Sequence, residues 1–200
     1  ILTIGYRHIL PILPFLALIA ANVVRWMLPP AHKITRQVVA VASGALLLWL
    51  VVATVRFWPN HDYYFNEAAG PWQNWSNLLV DSNLDWGQDL PALAQVMEEM
   101  GIERVNLAYF GRSAPEAWGV NYSPLPGLQR FLRDSREPNA YNPVGPEPGW
   151  YAVSATALRL GTLTLSTVDL YAYFRTLEPV ARAGYSIYLY NIPESDPTAR

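Results

Sequence analysis

Residues 38–55 read VVAVASGALLLWLVVATV, an uncharged and almost wholly apolar run. In a helix that rises 1.5 Å per residue, about 18 residues extend about 27 Å, close to the thickness of the hydrocarbon core of a bilayer. Lys33 and Arg36 precede the run, and Arg56 and Trp58 follow it, as side chains do that anchor a helix at the two membrane surfaces. The pattern predicts a transmembrane helix over 38–57 rather than the buried helix of a large water-soluble protein.

A second apolar segment lies nearer the N-terminus, at residues 9–28. Its core reads ILPILPFLALIAANVV, with Pro11 and Pro14 in the first turns, where a missing amide donor costs least. Arg25 would extend toward the lipid headgroups. No small-residue cleavage site separates the two segments, which argues against a cleaved signal peptide. We expect two transmembrane helices joined by a short hairpin at 29–37.

The charges are unevenly distributed along the chain. Residues 1–57 contain five basic residues and no acidic one, so all 16 acidic residues lie in 58–200. The positive-inside rule places the hairpin, with Lys33 and Arg36, in the cytoplasm and the remainder outside the cell membrane. The acidic outer part argues against nucleic acid as a partner, because phosphates bind basic surfaces. The chain begins with Ile1 rather than Met, and we expect it to be part of a longer polypeptide.

The composition excludes two kinds of site. The chain has no cysteine, which excludes disulfides and cysteine-based zinc sites, and its three histidines are far apart in sequence. We therefore predict no metal site in this chain. Neither a phosphate-binding loop nor a dinucleotide-binding fingerprint is found, and Ser113 lacks the sequence context of a hydrolase nucleophile.

Beyond a membrane part at 1–58, we expect an extracytoplasmic domain over 59–192 and a tail over 193–200. Aromatic residues between 58 and 75 predict a collar that packs on the lipid interface. Hydrophobic periodicity and turn residues predict strands at 77–81, 104–110, 150–154 and 183–192, helices at 89–100 and 168–176, and a long loop at 122–149. The alternation indicates a small α/β domain with a mainly parallel sheet.

The segment DSNLDWGQDL, at 81–90, is the densest group of polar side chains and lies on a predicted turn between a strand and a helix. Ligands of open α/β sheets bind beside the carboxyl ends of strands, where this turn is expected. Asp85 and Gln88 also have the spacing of a helix capping box, and Asp89 is placed to cap the helix itself. Two interpretations stay open: a capped turn, or a turn that also contacts substrate or the rest of the domain through Asp81, Asn83, Asp85, Trp86 and Gln88.

Four stretches carry a resemblance to a known family: GYRHILPILPFLALIAA at 5–21, YYFNEAAG at 63–70, DSNLDWGQDL at 81–90 and EPVARAGYSIYLYNI at 178–192. In this order they resemble the C-terminal part of bacterial membrane glycosyltransferases of the GT-C superfamily, family-39 type. That group includes the protein mannosyltransferases and the lipid A aminoarabinose transferases. This chain has PWQNW at 71–75, where the family pattern has a longer glycine-containing segment.

The resemblance implies a multi-pass enzyme of the bacterial inner membrane. Such an enzyme transfers a sugar from a polyprenyl-phosphate donor to a protein, lipid or glycan acceptor on the extracytoplasmic side. The family's catalytic carboxylate would lie outside this chain, and the cationic stretch near the lipid phosphate corresponds to Arg7 and His8. Some branches use a divalent cation and others none, so any such cation would be bound elsewhere in the full-length enzyme. The alternative is a non-enzymatic, membrane-anchored module that binds glycans or proteins.

Overall fold

The computed structural model describes residues 11–22, 24–25, 32–65, 67–80, 84–126, 141–160 and 169–194. The described residues up to Tyr64 form one compact unit, and those from Phe65 onward form another. We call them the helical unit and the sheet domain.

The helical unit contains helices α1 (Leu13–Ala21) and α2 (Lys33–Arg56). Helix α2 is the one described helix that is long and apolar enough to cross a membrane, with a mean hydropathy of 2.5 over its most apolar window. Its aliphatic side chains are exposed along its length, and within α2 only Ala53 is buried. The predicted first span is helical over Leu13–Ala21, and both ends of the predicted 9–28 reach positions outside the described residues.

The second helix is longer than the sequence pattern predicted. It begins at Lys33 rather than Val38, so Lys33 and Gln37 belong to the helix and not to the hairpin predicted at 29–37. Lysine, arginine and glutamine have long unbranched side chains that lose little freedom in a helix, and they extend α2 beyond its apolar run.

The sheet domain contains a five-stranded sheet in the order β2-β1-β3-β5-β4. The strands are β1 (Val105–Ala108), β2 (Tyr122–Pro124), β3 (Gly149–Ser154), β4 (Ala181–Ala183) and β5 (Ile187–Ile192). The domain also holds helices α3 (Leu90–Glu99) and α4 (Ala155–Leu160). Short 3₁₀ helices lie at Glu67–Ala69, Trp72–Asn77, Pro115–Trp118 and Tyr173–Thr176, and one more, His61–Tyr63, belongs to the helical unit.

The sheet is mixed, and the prediction of a mainly parallel sheet was wrong. Strand β1 pairs in parallel with β2 and β3, whereas β5 pairs antiparallel with both β3 and β4. The difference arises in residues 183–192, which the alternating pattern had predicted as one strand. Gly184 has a φ of +58°, in the left-handed region, and it turns the chain so that β4 and β5 form a hairpin.

Two different layers cover the faces of the sheet. On one face, Leu90, Leu93 and Met97 of α3 pack against aliphatic residues of the strands, among them Leu107 and Leu189. The other face is aromatic: the ring of Phe174 lies 5.1 Å from that of Tyr151 and 5.0 Å from that of Tyr190. Because successive strand residues point to opposite faces, Leu189 and Tyr190 belong to different layers.

Three other predicted elements differ from the structure. Of the strand predicted at 77–81, the described residues 77–80 form none, and the 3₁₀ helix Trp72–Asn77 occupies the first of them. A short apolar run does not by itself distinguish a strand from other buried segments. The predicted helix at 168–176 is reduced to the 3₁₀ helix Tyr173–Thr176, with Val168 outside the described residues. The predicted loop at 122–149 begins with the edge strand β2. Proline has no backbone N–H to donate to a neighbouring strand, and an edge strand tolerates this at Pro124.

Candidate functional site

The turn at 84–89 lies beside the carboxyl ends of the parallel strands β1 and β3. Tyr109 follows β1, and its side chain packs so closely on Gly87 that a Cβ at this glycine would overlap the phenol ring. Ser154 ends β3, and its hydroxyl and the backbone amide of Thr156 both hydrogen-bond to Asp85. The turn therefore lies at the edge where α/β sheets bind ligands.

Asp89 joins the turn to the β4–β5 hairpin. Its Oδ2 accepts hydrogen bonds from the backbone amides of Tyr185, at 2.9 Å, and Ser186, at 2.7 Å, and from the Ser186 hydroxyl, at 2.8 Å. Asp89 occupies the N-cap position of α3, but its side chain makes no capping hydrogen bond to that helix. The carboxylate thus caps a turn that is distant in sequence instead of the helix that follows it.

Asp85, on the turn at 84–89, is fully buried and contacts the start of α4. Its Oδ2 lies 3.4 Å from the amide nitrogen of Thr156, while its Oδ1 has no hydrogen-bond partner among the described residues. Burial, assisted by the nearby negative charge of Asp89, raises the pKa of Asp85 to about 7. The hydrogen bonds from Ser154 and Thr156 oppose this effect without cancelling it.

Trp86 and Gln88 form the exposed part of the turn. The Gln88 side chain accepts from the amide of Trp86 at 2.6 Å and donates to the carbonyl of Leu84 at 3.0 Å, which closes the turn on itself. The indole of Trp86 is 50% exposed. Gln88 therefore braces the turn rather than forming a capping box with Asp85, and Trp86 is the side chain of this turn that a large ligand can reach.

Four predicted site residues lie in parts of the chain that the structure does not describe. Asp81 and Asn83, on the same turn, and Arg7 and His8, in the predicted lipid-phosphate stretch, lie outside the described residues. Of the predicted contacts, the structure brings together Asp85, Trp86 and Gln88. Asp85 contacts its own domain, because it has no exposed surface.

The predicted aromatic collar divides between two environments. Trp58 is 75% exposed, whereas Trp75 is buried, donates to the carbonyl of Gly70 and packs on Phe65. Trp72 packs edge-on against Tyr185 of the β4–β5 turn. The tryptophans at 72 and 75 therefore stabilise the sheet domain itself, and Trp58 is the one placed as an interfacial anchor would be.

A cavity of about 320 Å³ opens in the helical unit beside the last turns of α2. Its wall is mostly apolar and includes Trp49 and Ala53, with His61 and Tyr64 supplying polar groups from the segment after the helix. Among the described residues, no group of three histidine, aspartate or glutamate side chains is arranged to hold a metal ion.

Several residues at the site were not singled out in the sequence. Tyr109, Ser154, Thr156 and Ser186 come from three separate segments, and only the sheet topology brings them to Asp85 and Asp89. A sequence signal exists for one of these contacts, since the Gly184-Tyr-Ser triplet marks a turn between two alternating runs. The acceptor for that turn, Asp89, is far away in sequence and could not be identified from it.

The contacts of the turn at 84–89 indicate a role in stabilising the domain more directly than a role in catalysis. Both buried carboxyl groups are committed to contacts within the domain, and the exposed surface of the turn is an indole. No protein-family model, curated protein or solved structure matches this chain.

Proposed function

We propose that this chain is the C-terminal portion of an integral membrane glycosyltransferase that uses a polyprenyl-phosphate-linked sugar. The observation that carries the proposal is α2, a helix of 24 residues whose apolar side chains face outward, followed by a folded mixed α/β domain. Outward-facing leucines and valines in this number require an apolar surrounding, which a bilayer supplies. The resemblance of four separated stretches, in order, supplies the reaction class.

In the proposed reaction, an acceptor group attacks the sugar's anomeric carbon, the bond to the lipid phosphate breaks, and negative charge grows on the departing phosphate. Arg7 would neutralise that charge and His8 would assist it, because a guanidinium presents paired donors to phosphate oxygens. The base that activates the acceptor would lie elsewhere in the enzyme. The sheet domain would either shape the access of the acceptor or brace the membrane core of the enzyme.

The contacts of the turn at 84–89 fit an enzyme whose catalytic carboxylate lies outside this chain. Asp85 and Asp89 are the most buried carboxyl groups beside the sheet's carboxyl edge, and neither is exposed to an acceptor. A catalytic carboxylate outside this chain, as the resemblance implies, leaves these two free for their structural contacts.

The proposal is tested in membranes that contain the full-length polypeptide bearing this chain. A radiolabelled polyprenyl-phosphate sugar is supplied, and transfer to endogenous acceptors is measured for wild type, Arg7→Ala and the matched control Arg36→Ala. We expect Arg7→Ala to reduce turnover about 100-fold or more, as removal of a charge-stabilising donor does, and Arg36→Ala to leave it nearly unchanged. Wild-type membranes that transfer no sugar would contradict the proposal, and unchanged turnover in Arg7→Ala would remove Arg7 from the mechanism.

A second candidate, a membrane-anchored glycan-binding module, is favoured by one observation. Trp86 presents a half-exposed indole on a turn that Gln88 closes, and a flat aromatic face stacks well on the apolar face of a pyranose ring. Binding of oligosaccharides that Trp86→Ala abolishes, in a protein that transfers no sugar, would favour this module over the transferase.

A further inference from the structure

The carboxyl group of Asp85 lies in a place where a negative charge is poorly supported. It has no exposed surface, and its Oδ1 has no hydrogen-bond partner among the described residues. A buried carboxylate ion that loses water without gaining donors for both oxygens is strongly destabilised. The uncharged acid costs much less to bury than the ion.

The groups around Asp85 do not compensate such a charge. From its own turn, Asp89 contributes a second carboxyl group, which repels it. From the loop after β1, Tyr109 contributes a phenol whose pKa burial raises to about 12, so that it is neutral. From β3 and α4, Ser154 and Thr156 contribute hydrogen bonds without charge, and no described lysine, arginine or histidine is among the groups acting on this carboxyl.

The same carboxyl joins two parts of the domain. On one side lies the turn that Gln88 closes through Leu84 and Trp86. On the other side lies the first turn of α4, through the amide of Thr156. Burial raises the pKa of Asp85 to about 7, so the group changes its charge near neutrality.

We propose that Asp85 is a proton-dependent latch: the protonated side chain holds the Trp86 turn on α4, and its ionisation releases the turn. The released piece is 84–88, because Gln88 keeps it closed while Asp89 stays bound to Tyr185 and Ser186. Opening gives the ionised carboxyl access to water and changes the presentation of the Trp86 indole. This inference holds for the sheet domain whether or not the protein transfers sugar.

The latch is tested by hydrogen exchange on the whole chain in lipid nanodiscs at pH 5.5 and 8.5, with rates corrected for intrinsic exchange. We expect the protection of amides at 84–88 to fall about tenfold or more at the higher pH, since each pH unit between the pKa of the solvated carboxyl and that of the buried one raises the open fraction by up to about tenfold. Asp85→Asn, which is always neutral, should show a ratio within about twofold, and the exposed control Glu98→Gln should behave like wild type. Equal protection of wild type at both pH values would overturn the proposal, as would a pH dependence that persists in Asp85→Asn.

If Asp85→Asn does not fold, a measurement on the wild-type chain tests the latch instead. The amide resonance of Thr156 should shift with pH and show a midpoint near 7, because Asp85 ionises there and leaves this amide. A midpoint below about pH 5 would mean that Asp85 is ionised throughout the neutral range. That result, or an amide shift that stays constant between pH 5 and 8.5, would overturn the latch.

Discussion

Helix α2 and the sheet domain place their apolar residues in opposite ways. In α2, most leucines and valines are more than half exposed, with Leu48 at 65% and Val55 at 70%. In the sheet domain, Leu93 and Leu189 have no exposed surface, and buried carboxyl groups join the elements. One chain therefore contains a helix that exposes its apolar side chains and a domain that buries them, and each of the following measurements tests one side of that contrast.

The largest expected effect is on the side of the sheet domain, at Gly184. Its φ is +58°, and a Cβ there would overlap the carboxylate of Asp89. Gly184→Ala should therefore displace Asp89 from Tyr185 and Ser186 and lower the free energy of unfolding by about 3–5 kcal/mol, as loss of several hydrogen bonds to a buried charge does. Chemical denaturation measures the change.

The matched control is Gly101→Ala. Gly101 also has a positive φ, +66°, but nothing lies within 4 Å of its added Cβ, so only the backbone cost of about 1–2 kcal/mol is expected. Equal losses in the two variants would mean that the contact of Asp89 with the hairpin contributes little.

The next effect tests the other side of the contrast, at Leu48. Leu48→Arg places a charge near the middle of α2, and insertion of the helix into a membrane should become less favourable by about 2.5–3.5 kcal/mol. The measurement is the fraction of protein that resists alkaline extraction from membranes. Ile34→Arg, near the helix start, is the control and should have little effect; if Leu48→Arg also has none, α2 does not lie in lipid.

A smaller effect is the dependence of domain stability on pH. The pKa of Asp85 rises from an unfolded value of 3.8 to about 7 on folding, so the folded domain holds a proton that the unfolded chain releases. Stability should fall as the pH rises from about 4 to 7 and level off above that, with a loss of about 2.5 kcal/mol between pH 5 and 8. Denaturant unfolding of Asp85→Asn should lack this decline; a parallel decline in the variant would assign it to other groups.

The smallest effect has the opposite sign, at Asp169. Its carboxylate pairs with Arg175, and that hydrogen bond lowers its pKa, with a further contribution from the amide of Tyr171. The stabilisation is therefore present above the unfolded pKa and is lost as the pH falls through the folded one. Because the pair is partly exposed, Asp169→Asn should cost at most about 1 kcal/mol at pH 7, and the difference from wild type should vanish in acid. A cost that persists at pH 2 would mean that packing, not charge, is involved.

The sequence predicted those elements whose residues are close together along the chain. Helix α3 follows from its apolar spacing, Pro91 and Gly101, and strands β1 and β3 follow from short apolar runs, all within a residue or two of the observed ends. The apolar run of α2 gave the membrane candidate, although Lys33 shows that such a run does not fix where a helix begins.

What could not be predicted depends on contacts between distant segments. The mixed sheet follows from a hairpin whose turn at Gly184 is held by Asp89, and the charge state of Asp85 follows from burial by β3 and α4. Local patterns mark the turn at Gly184, but they identify neither Asp89 as its partner nor the residues that bury Asp85. Asp85 and Asp89, two of the three carboxyl groups that suggested a polar site in the sequence, form hydrogen bonds inside the domain.

The strand order has a consequence for how the protein is made. Strand β5 lies between β3 and β4 although it is the last of the described strands along the chain. During synthesis Tyr185 and Ser186, the partners of Asp89, therefore emerge before β5, and the sheet stays divided until residues through Ile192 have emerged. A chain shortened by this one strand would leave the backbone groups of β3 that pair with β5 without partners, an open edge of the kind that pairs readily with other strands.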